Sequence, residues 1–411
     1  MSAPLKSVDD HLAGILGAVP LLSPLEVALL DAEGTALAEQ VTAPVSLPPF
    51  DNSAMDGYAV CASDVESASP ETPVCLPVIG DVAAGDDAVM AIRPGLSARI
   101  MTGAPLPAGA DAVIPVEWTD GGTAEVKITR SAPRGHYIRR AGEDVRGGQV
   151  VMEPGTRLGA SQIGMLAAVG RSSVAVRPKP RVVVMSTGSE LREPGTPLAP
   201  GQIWESNSFM LATAVREAGG IGYRQATVAD DPSAVLETIR DQLMRADAIV
   251  TSGGVSMGAR DVVKEVLSGV GTMEFGKVAM RPGKPQGFGL IDGITPIFTL
   301  PGNPVSAYVS FQVFVRPALR AMQGLPPESL PTVAAVLTRD LRSPAGVRHY
   351  VRGMLEFSGP VGGEHWYAVT PAEGQGSHQL GSLSGATGLM VVPEDVEILT
   401  AGSRVEVMRL P

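Results

Sequence analysis

A chain of 411 residues is too long for one compact hydrophobic core, so two to four domains are expected. The chain carries 32 basic and 43 acidic residues, and this net charge of −11 excludes broad nucleic-acid binding, which needs a basic face. Cys61 and Cys75 are its two cysteines and form no C-x-x-C pair, so neither a disulfide framework nor a thiolate metal site is predicted, and a reducing cytoplasm is the expected compartment.

The first predicted element is an amphipathic helix near the N-terminus. Leu12, Ile15 and Val19 follow helical spacing. Two acidic residues, Asp9–Asp10, precede this stretch where an export signal would be basic. Since no stretch approaches the roughly 20 apolar residues of a membrane span, we expect a packed helix and no membrane partner.

The region from 51 to 139 is predicted to be a β-rich insertion, because its apolar runs are short and its glycines and prolines frequent. The motifs F-D-N-S-A-M-D-G-Y-A (50–59), R-I-M-T-G-A-P-L-P (99–107) and R-R-A-G-E-D (139–144) each place Asp, Thr or Arg in a turn. Taken alone, they are interpreted as structural. The insertion would divide an N-terminal domain of residues 1–50 and 140–178, with helical spacing at Ala160–Val169.

Between Arg181 and Arg320, three apolar runs each end in a glycine-bearing loop followed by a predicted helix. The runs are Val182–Met185, Ala248–Val250 and Ile297–Leu300, and their loops read S-T-G-S-E, T-S-G-G-V-S-M-G and P-G-N-P-V-S. In an open parallel α/β sheet such loops lie at the carboxyl ends of the strands, where these folds bind ligands. Helix N-termini also suit anions. An α/β domain at 179–327 that binds phosphate-like anions is therefore predicted.

Two helix boundaries are predicted inside this domain. Asp231–Pro232 is typical of a helix start, with Asp as the capping residue and Pro at the first helical position. Gly219–Gly220 favours a helix end after Asn207–Ala218.

Acidic residues accompany the glycine loops. Glu190, Asp230, Asp231 and Asp261 follow predicted strand ends. Mg²⁺ takes one or two carboxylates together with water and substrate phosphate, so these four residues are the predicted metal ligands. The competing interpretation is that Asp231 only caps a helix and Glu190 is a solvated loop residue.

A basic segment, F-G-K-V-A-M-R-P-G-K-P, spans Phe275–Pro285. We predict a strand with Lys277 and Arg281 on one face and Val278 and Met280 on the other. With Lys284 in the following Pro-Gly turn, these cations could bind oxyanions.

The final region, 328–411, is predicted to be a small antiparallel β-domain. In Val347–Phe357 the apolar residues are expected to oppose Arg348, Tyr350 and Arg352, and Val405 and Val407 alternate with charged residues.

Together these motifs resemble the MoeA family, the molybdopterin molybdenumtransferases, which also include the E domain of gephyrin. The resemblance runs in order through most of the chain, and the motif at 50–59 is highly specific. It implies a multidomain α/β plus β fold with a central MogA-like α/β molybdopterin-binding domain, a β-rich inserted domain and a C-terminal β-barrel-like domain. The implied subunit is elongated and forms a homodimer with the active cleft at the interface.

The implied reaction converts adenylylated molybdopterin and molybdate into molybdenum cofactor and AMP, with Mg²⁺ required and a MogA-type adenylyltransferase as a further partner. The implied catalytic residues are Asp56, Thr102, Asp144, Glu190, Asp261, Lys277 and Arg281. The predicted substrate- or anion-binding residues are Ser186, Thr187, Gly188, Ser252, Gly253, Gly254, Ser256, Lys284, Pro301, Gly302, Asn303, Pro304 and Ser377.

Two positions depart from the family pattern. Ser189 stands where Asp is expected, and Arg281 stands where Lys is usual, although a guanidinium fork is not equivalent to an ammonium group. Two alternatives stay open: a molybdopterin adenylyltransferase and a non-catalytic molybdopterin-binding scaffold.

Overall fold

A computed structural model describes residues 5–85, 90–228, 231–253, 262–269, 271–361 and 364–411. The chain begins with α1 (Val8–Ala18), which Ser7 caps by accepting a hydrogen bond from the Asp10 N–H at 3.0 Å. Val8 and Ile15 are each 1% exposed and share one core with strand residues of the α/β region. The predicted N-terminal helix is confirmed. Within the described residues, no helix is both long and apolar enough to cross a bilayer.

The N-terminal part is built from short strands around an inserted sheet. Its elements in chain order are β1 (Leu25–Ala28), a 3₁₀ turn (Leu29–Ala32), β2 (Ala36–Leu37), β3 (Val41–Thr42), β4 (Asn52–Ser53), β5 (Gly57–Val60), a 3₁₀ turn (Ala62–Val65), β6 (Val74–Val82), β7 (Ser97–Ile100), β8 (Ala112–Pro115), a 3₁₀ turn (Val116–Trp118), β9 (Glu125–Ile128), β10 (Ile138–Arg139), β11 (Val150–Met152), α2 (Ala160–Ala168) and β12 (Ser173–Arg177).

The strands of this part form one five-stranded sheet and three small groups, in one of which β10 pairs with β4. β12 lies between β1 and β2, and β11 pairs with β3. Strands β5 to β9 form a five-stranded sheet in the order β8-β5-β7-β6-β9, with apolar clusters on its two faces. The β-rich character predicted for this stretch is therefore observed, and so is the helix near 160.

The α/β region follows. Its elements are β13 (Arg181–Ser186), β14 (Leu191–Arg192), β15 (Ile203–Trp204), α3 (Asn207–Glu217), β16 (Ile221–Arg224), α4 (Pro232–Leu243), β17 (Ala248–Ser252), α5 (Val262–Ser268), β18 (Glu274–Lys277), β19 (Met280–Arg281), β20 (Pro285–Ile291), β21 (Thr295–Leu300), α6 (Pro304–Ser310), a π-helical turn (Phe311–Val315) and α7 (Arg316–Met322).

Six of these strands form one sheet in the order β16-β13-β17-β21-β20-β18. The first four are parallel, as predicted, and Val182–Met185 is fully buried because helices cover both faces. At one side of the sheet, β20 and β18 are antiparallel to their neighbours. The prediction of a helix after the first loop is wrong, because β14 follows that loop.

Both predicted helix boundaries are confirmed. Asp231 caps α4 by accepting a hydrogen bond from the Ala234 N–H at 2.9 Å, and Pro232 is the first helical residue. Helix α3 ends before Gly219, whose positive φ of 89° suits a residue without a side chain.

The C-terminal part is a closed barrel. Its elements are β22 (Thr332–Leu337), β23 (Leu341–Arg342), β24 (Arg348–Val361), β25 (Glu364–Pro371), α8 (Leu380–Ser384), β26 (Gly388–Val392), β27 (Ile398–Leu399) and β28 (Arg404–Arg409). The pairing runs β24-β25-β22-β28-β26 and returns to β24, which closes a five-stranded ring.

Strand β24 contradicts the predicted alternation. Arg352 is 1% exposed and Tyr350 4%, whereas Phe357 is 61% exposed. Arg352 is buried at a lower energetic cost because its Nη2 donates to two backbone carbonyls, those of Gly374 at 2.7 Å and Gly376 at 3.1 Å. The alternation of Val405 and Val407 with exposed neighbours is confirmed.

Candidate functional site

Three loops begin at the same level on one edge of the six-stranded sheet. Strand pairing places Ser186, Ser252 and Leu300 in a single row at the carboxyl ends of β13, β17 and β21. One residue further on, the Gly253 N–H donates to the Leu300 carbonyl at 3.1 Å. A Cβ atom on Gly302 would lie 3.6 Å from the Gly253 Cα, so the second and third loops are in contact. The structure thus brings together the loops that the sequence singled out.

Lys277 lies at the same edge. It pairs with Pro285 across β18 and β20, while Gly287 pairs with Thr299 across β20 and β21. This register puts Lys277 level with Pro301, two strands away, which corresponds to about 10 Å at the usual strand spacing. The lysine side chain is exposed.

The prediction of one strand through Phe275–Pro285 is wrong. β18 ends at Lys277, and β19, which carries Arg281, joins the barrel by pairing with His349 of β24. The predicted division of faces nevertheless holds, since Val278 and Met280 are each 1% exposed and Arg281 is exposed. The segment therefore connects the sheet to the barrel.

The turn that carries Lys284 is fixed against α6. Gly283 has a φ of +100°, and a Cβ atom there would lie 2.7 Å from the Ser310 Oγ. Gln286, 2% exposed, donates to the Gly283 carbonyl and to that hydroxyl, both at 2.6 Å. Only glycine combines this backbone conformation with this close approach. Lys284 itself is exposed.

The charge around Arg281 is positive. Burial, followed by the charges of Arg281 and Arg352, lowers the pKa of the His349 imidazole to about 4. His349 is therefore neutral at pH 7 and adds no charge to this part of the site.

The third loop is joined to the barrel. Asn303 Nδ2 donates to the Ser377 Oγ at 3.0 Å, and the Val305 N–H donates to the Ser377 carbonyl at 3.1 Å. Pro301 is buried and Pro304 begins α6. The structure thus places Ser377 beside the Pro-Gly-Asn-Pro loop, although Asn303 and Ser377 are 74 positions apart in the chain.

The first loop positions one carboxylate. A Cβ atom on Gly188 would lie 2.8 Å from both carboxylate oxygens of Glu190, so this exposed carboxylate lies against the loop backbone. Thr187 continues the parallel pairing through a bridge to Val228.

The structure describes two of the four predicted metal ligands, Glu190 and Asp231. Asp231 is occupied as the cap of α4, where its carboxylate also accepts from the Ser233 hydroxyl at 2.5 Å, and these bonds lower its pKa. Among the described residues, no three His, Cys, Asp or Glu side chains come together. The predicted site residues Asp230, Gly254, Ser256 and Asp261 lie outside the described residues.

A second polar group forms in the inserted sheet. Asp56 Oδ1 accepts hydrogen bonds from the Thr102 N–H at 2.7 Å and the Thr102 hydroxyl at 2.8 Å, which lower the pKa of Asp56. Asp51 accepts from Arg140 Nη1 at 2.6 Å, and the exposed Asp144 follows in the same turn. From the sequence alone, the motifs at 50–59, 99–107 and 139–144 are interpreted separately, as structural turns. In the structure, these three motifs lie together on one surface.

Two residues that hold the loops were missed. Ser186 donates its hydroxyl to the buried Glu205 at 2.8 Å, and Asn207 Nδ2 donates to the Ser252 Oγ and to the Gly302 carbonyl, both at 2.7 Å. The hydroxyls of Ser186 and Ser252, predicted to bind substrate, are thus engaged within the protein. Glu205 and Asn207 lie in W-E-S-N, a segment that shows no periodicity or motif to indicate these contacts.

Family models cover nearly the whole chain. The MoeA N-terminal region (domains I and II) matches residues 6–170, the probable molybdopterin-binding domain 183–321 and the MoeA C-terminal region (domain IV) 334–410. The second of these contains the strand-end loops described above.

Relatives match over similar lengths. Molybdopterin molybdenumtransferase 2 of Mycobacterium tuberculosis is 46% identical, covering 99% of this chain and 100% of the relative. Molybdopterin molybdenumtransferase of Bacillus subtilis is 33% identical, covering 93% and 89%. The crystal structure of the molybdopterin biosynthesis MoeA protein from Pyrococcus horikoshii superposes with a TM-score of 0.82 at 30% identity, over 99% of this chain and 100% of that one. The chain belongs to the MoeA family.

Proposed function

We propose that this protein transfers molybdenum from molybdate to adenylylated molybdopterin, giving molybdenum cofactor, AMP and water. The proposal rests mainly on the position of Lys277. The strand register puts this lysine at the same height as the loops at Gly253 and Pro301, on the edge of a molybdopterin-binding domain. Relatives named molybdopterin molybdenumtransferases support the same activity. The free cysteines and the biosynthetic role suit the cytoplasm, with a MogA-type adenylyltransferase supplying the substrate.

The basic residues would neutralise the substrates. Two unit charges about 4 Å apart interact by roughly 4 kcal/mol at an effective dielectric near 20. A helix N-terminus supplies only about 0.3–1 kcal/mol in exposed settings. Bringing molybdate beside a diphosphate therefore requires the charges of Lys277, Arg281 and Lys284, and catalysis would come mainly from positioning and charge neutralisation.

Glu190 is the described residue best placed to hold Mg²⁺. Its two carboxylate oxygens lie against Gly188 at the sheet edge, and Mg²⁺ accepts one carboxylate together with water and substrate phosphate. The ion would offset the charge of the phosphate groups. Glu190 would hold the Mg²⁺ ion at the edge of the sheet, and the basic residues would neutralise the remaining negative charge of the oxyanions.

We also propose a homodimer whose cleft combines the two polar groups, with Asp56, Thr102 and Asp144 from one subunit facing the strand-end loops and Lys277 of the other. Mixing Asp56→Asn with Lys277→Ala subunits tests this arrangement. In a shared site, mixed dimers regain one intact site, and random mixing restores about a quarter of wild-type activity. A mixture as inactive as either parent would overturn the shared site.

The decisive experiment on the activity uses purified protein, adenylylated molybdopterin and Mg²⁺, with AMP release measured with and without molybdate. Release that depends on molybdate is expected. Tight pterin binding without release would refute the transferase and favour a molybdopterin-binding scaffold. Consumption of ATP with unmodified molybdopterin would favour an adenylyltransferase.

A further inference from the structure

Helix α3 begins with a turn, Glu205–Ser208, that contacts all three strand-end loops. Glu205 reaches the first loop through Ser186, and Asn207 reaches the second and third through Ser252 and Gly302. The four residues of this turn lie in a single stretch of chain, whereas the loops they contact are spread over more than 100 residues.

Glu205 is a buried carboxylate, 2% exposed. Its Oε1 accepts from the Ser186 hydroxyl at 2.8 Å and the Ser208 N–H at 2.7 Å, and its Oε2 accepts from the Ser208 hydroxyl. Arg224 supplies the opposite charge, with Nη2 3.8 Å from Oε2, and its Nε donates to the Ser208 hydroxyl at 2.7 Å. A carboxylate that accepts bonds on both oxygens and faces a guanidinium is fixed in orientation. It holds Ser186 and the start of α3 together.

Asn207 makes the complementary contact. Both of these hydrogen bonds use Nδ2, and the buried Oδ1 has no hydrogen-bond partner among the residues that the structure describes. The amide is therefore oriented by its two donated bonds. Ser252 Oγ in turn lies 3.5 Å from the Pro301 carbonyl, which adds a direct link between the second and third loops.

We propose that Glu205 and Asn207 are positioning residues, which hold the three loops in the relative placement that the transfer reaction needs, without contacting substrate themselves. The kinetic consequence of this inference rests on the proposed function. The structural claim, that the two residues hold the loops together, does not depend on that function.

The proposal is tested with Asn207→Asp and Glu205→Gln. Aspartate has the shape of asparagine but cannot donate to the Gly302 carbonyl, so the second and third loops should separate. Glutamine keeps the shape of glutamate but places an NH₂ group among the donors of Ser186 and Ser208. Ser206→Ala is the matched control, since Ser206 is exposed and makes no side-chain capping bond to α3.

Hydrogen–deuterium exchange of the full chain gives the first measurement. Asn207→Asp should accelerate exchange in the peptide containing Gly253 and in that containing Gly302, whereas Glu205→Gln should accelerate it around Ser186. Ser206→Ala should match wild type. Wild-type exchange in a folded Asn207→Asp protein would overturn the proposal, and so would an equal acceleration in the control. Asn207 is only half-buried, so its variant decides the matter if Glu205→Gln does not fold.

Kinetics give the second measurement. A variant that is merely less folded lowers kcat through the amount of active protein and leaves KM unchanged. Displaced loops instead raise the KM for adenylylated molybdopterin, and about a tenfold increase is expected for Asn207→Asp from the loss of the hydrogen bond to the Gly302 carbonyl. An unchanged KM would refute the positioning role. If wild type itself releases no AMP, the proposed function fails while the exchange experiment still decides whether this turn holds the loops.

Discussion

The pH dependence of stability should report on His11, which lies in α1 at the junction with the α/β core. His11 is 7% exposed, and its ring packs edge to face on Phe314, with 4.8 Å between ring centroids. Burial, followed by the charge of Lys6, lowers the pKa of His11 from 6.5 to about 4, while Glu274 acts in the opposite direction.

The sign follows from proton binding. A histidine with a lowered native pKa contributes its full stability above pH 6.5, and this contribution is lost as the pH falls from 6.5 towards 4, where the unfolded chain binds a proton and the native protein does not. At pH 5 the loss from this one residue amounts to roughly 2 kcal/mol.

His11→Leu should reduce this dependence. Guanidinium unfolding at pH 7 and pH 5 gives two free energies of unfolding, and their difference should be smaller in the variant by about 2 kcal/mol. Ile15→Val, one turn further along α1, is the control: it should lower both free energies by a similar amount, about 0.5–1.5 kcal/mol. A His11→Leu variant with the wild-type pH difference would refute the reasoning.

Three further outcomes concern the site and its supporting sheet. Lys277→Ala should raise the KM for molybdate about tenfold with an unchanged melting temperature, because an exposed cation is removed; unaltered turnover would contradict its role. Asp56→Asn retains an acceptor for Thr102 but loses the charge, so AMP release should fall while the circular-dichroism melt stays at the wild-type temperature; a fall in that temperature would instead assign Asp56 to folding. Gly57→Ala would place a Cβ atom 1.9 Å from the Ile114 carbonyl oxygen, so calorimetry should show a lower melting temperature, and an unchanged one would contradict this packing.

Local patterns predicted the α/β region well. The runs at 182–185, 248–250 and 297–300 are strands because a strand covered on both faces needs a continuous apolar stretch, and Asp231–Pro232 begins α4 because capping involves neighbouring residues. Such features depend on residues close in the chain.

Long-range contacts could not be predicted in this way. Arg352 is buried because backbone carbonyls more than 20 residues away accept its hydrogen bonds, and nothing in its own strand indicates them. Glu205 and Asn207 were missed for the same reason. Lys277 and Arg281 were correctly grouped as exposed cations, but alternation alone does not show that two separate sheets carry them.

The short segment that connects Lys277 to Arg281 limits which parts of this chain can be exchanged for those of a related protein. Ala279 lies midway between them, where its N–H donates to the Lys6 carbonyl and its carbonyl accepts from the Arg348 N–H, both at 2.8 Å. Three distant parts of the chain thus meet at one residue, and an added or deleted residue here would break pairing on both sides. We therefore expect a chimera that exchanges only the barrel to lose the relative position of Lys277 and Arg281. A chimera that exchanges the barrel together with α1 and the segment between these two residues should keep it.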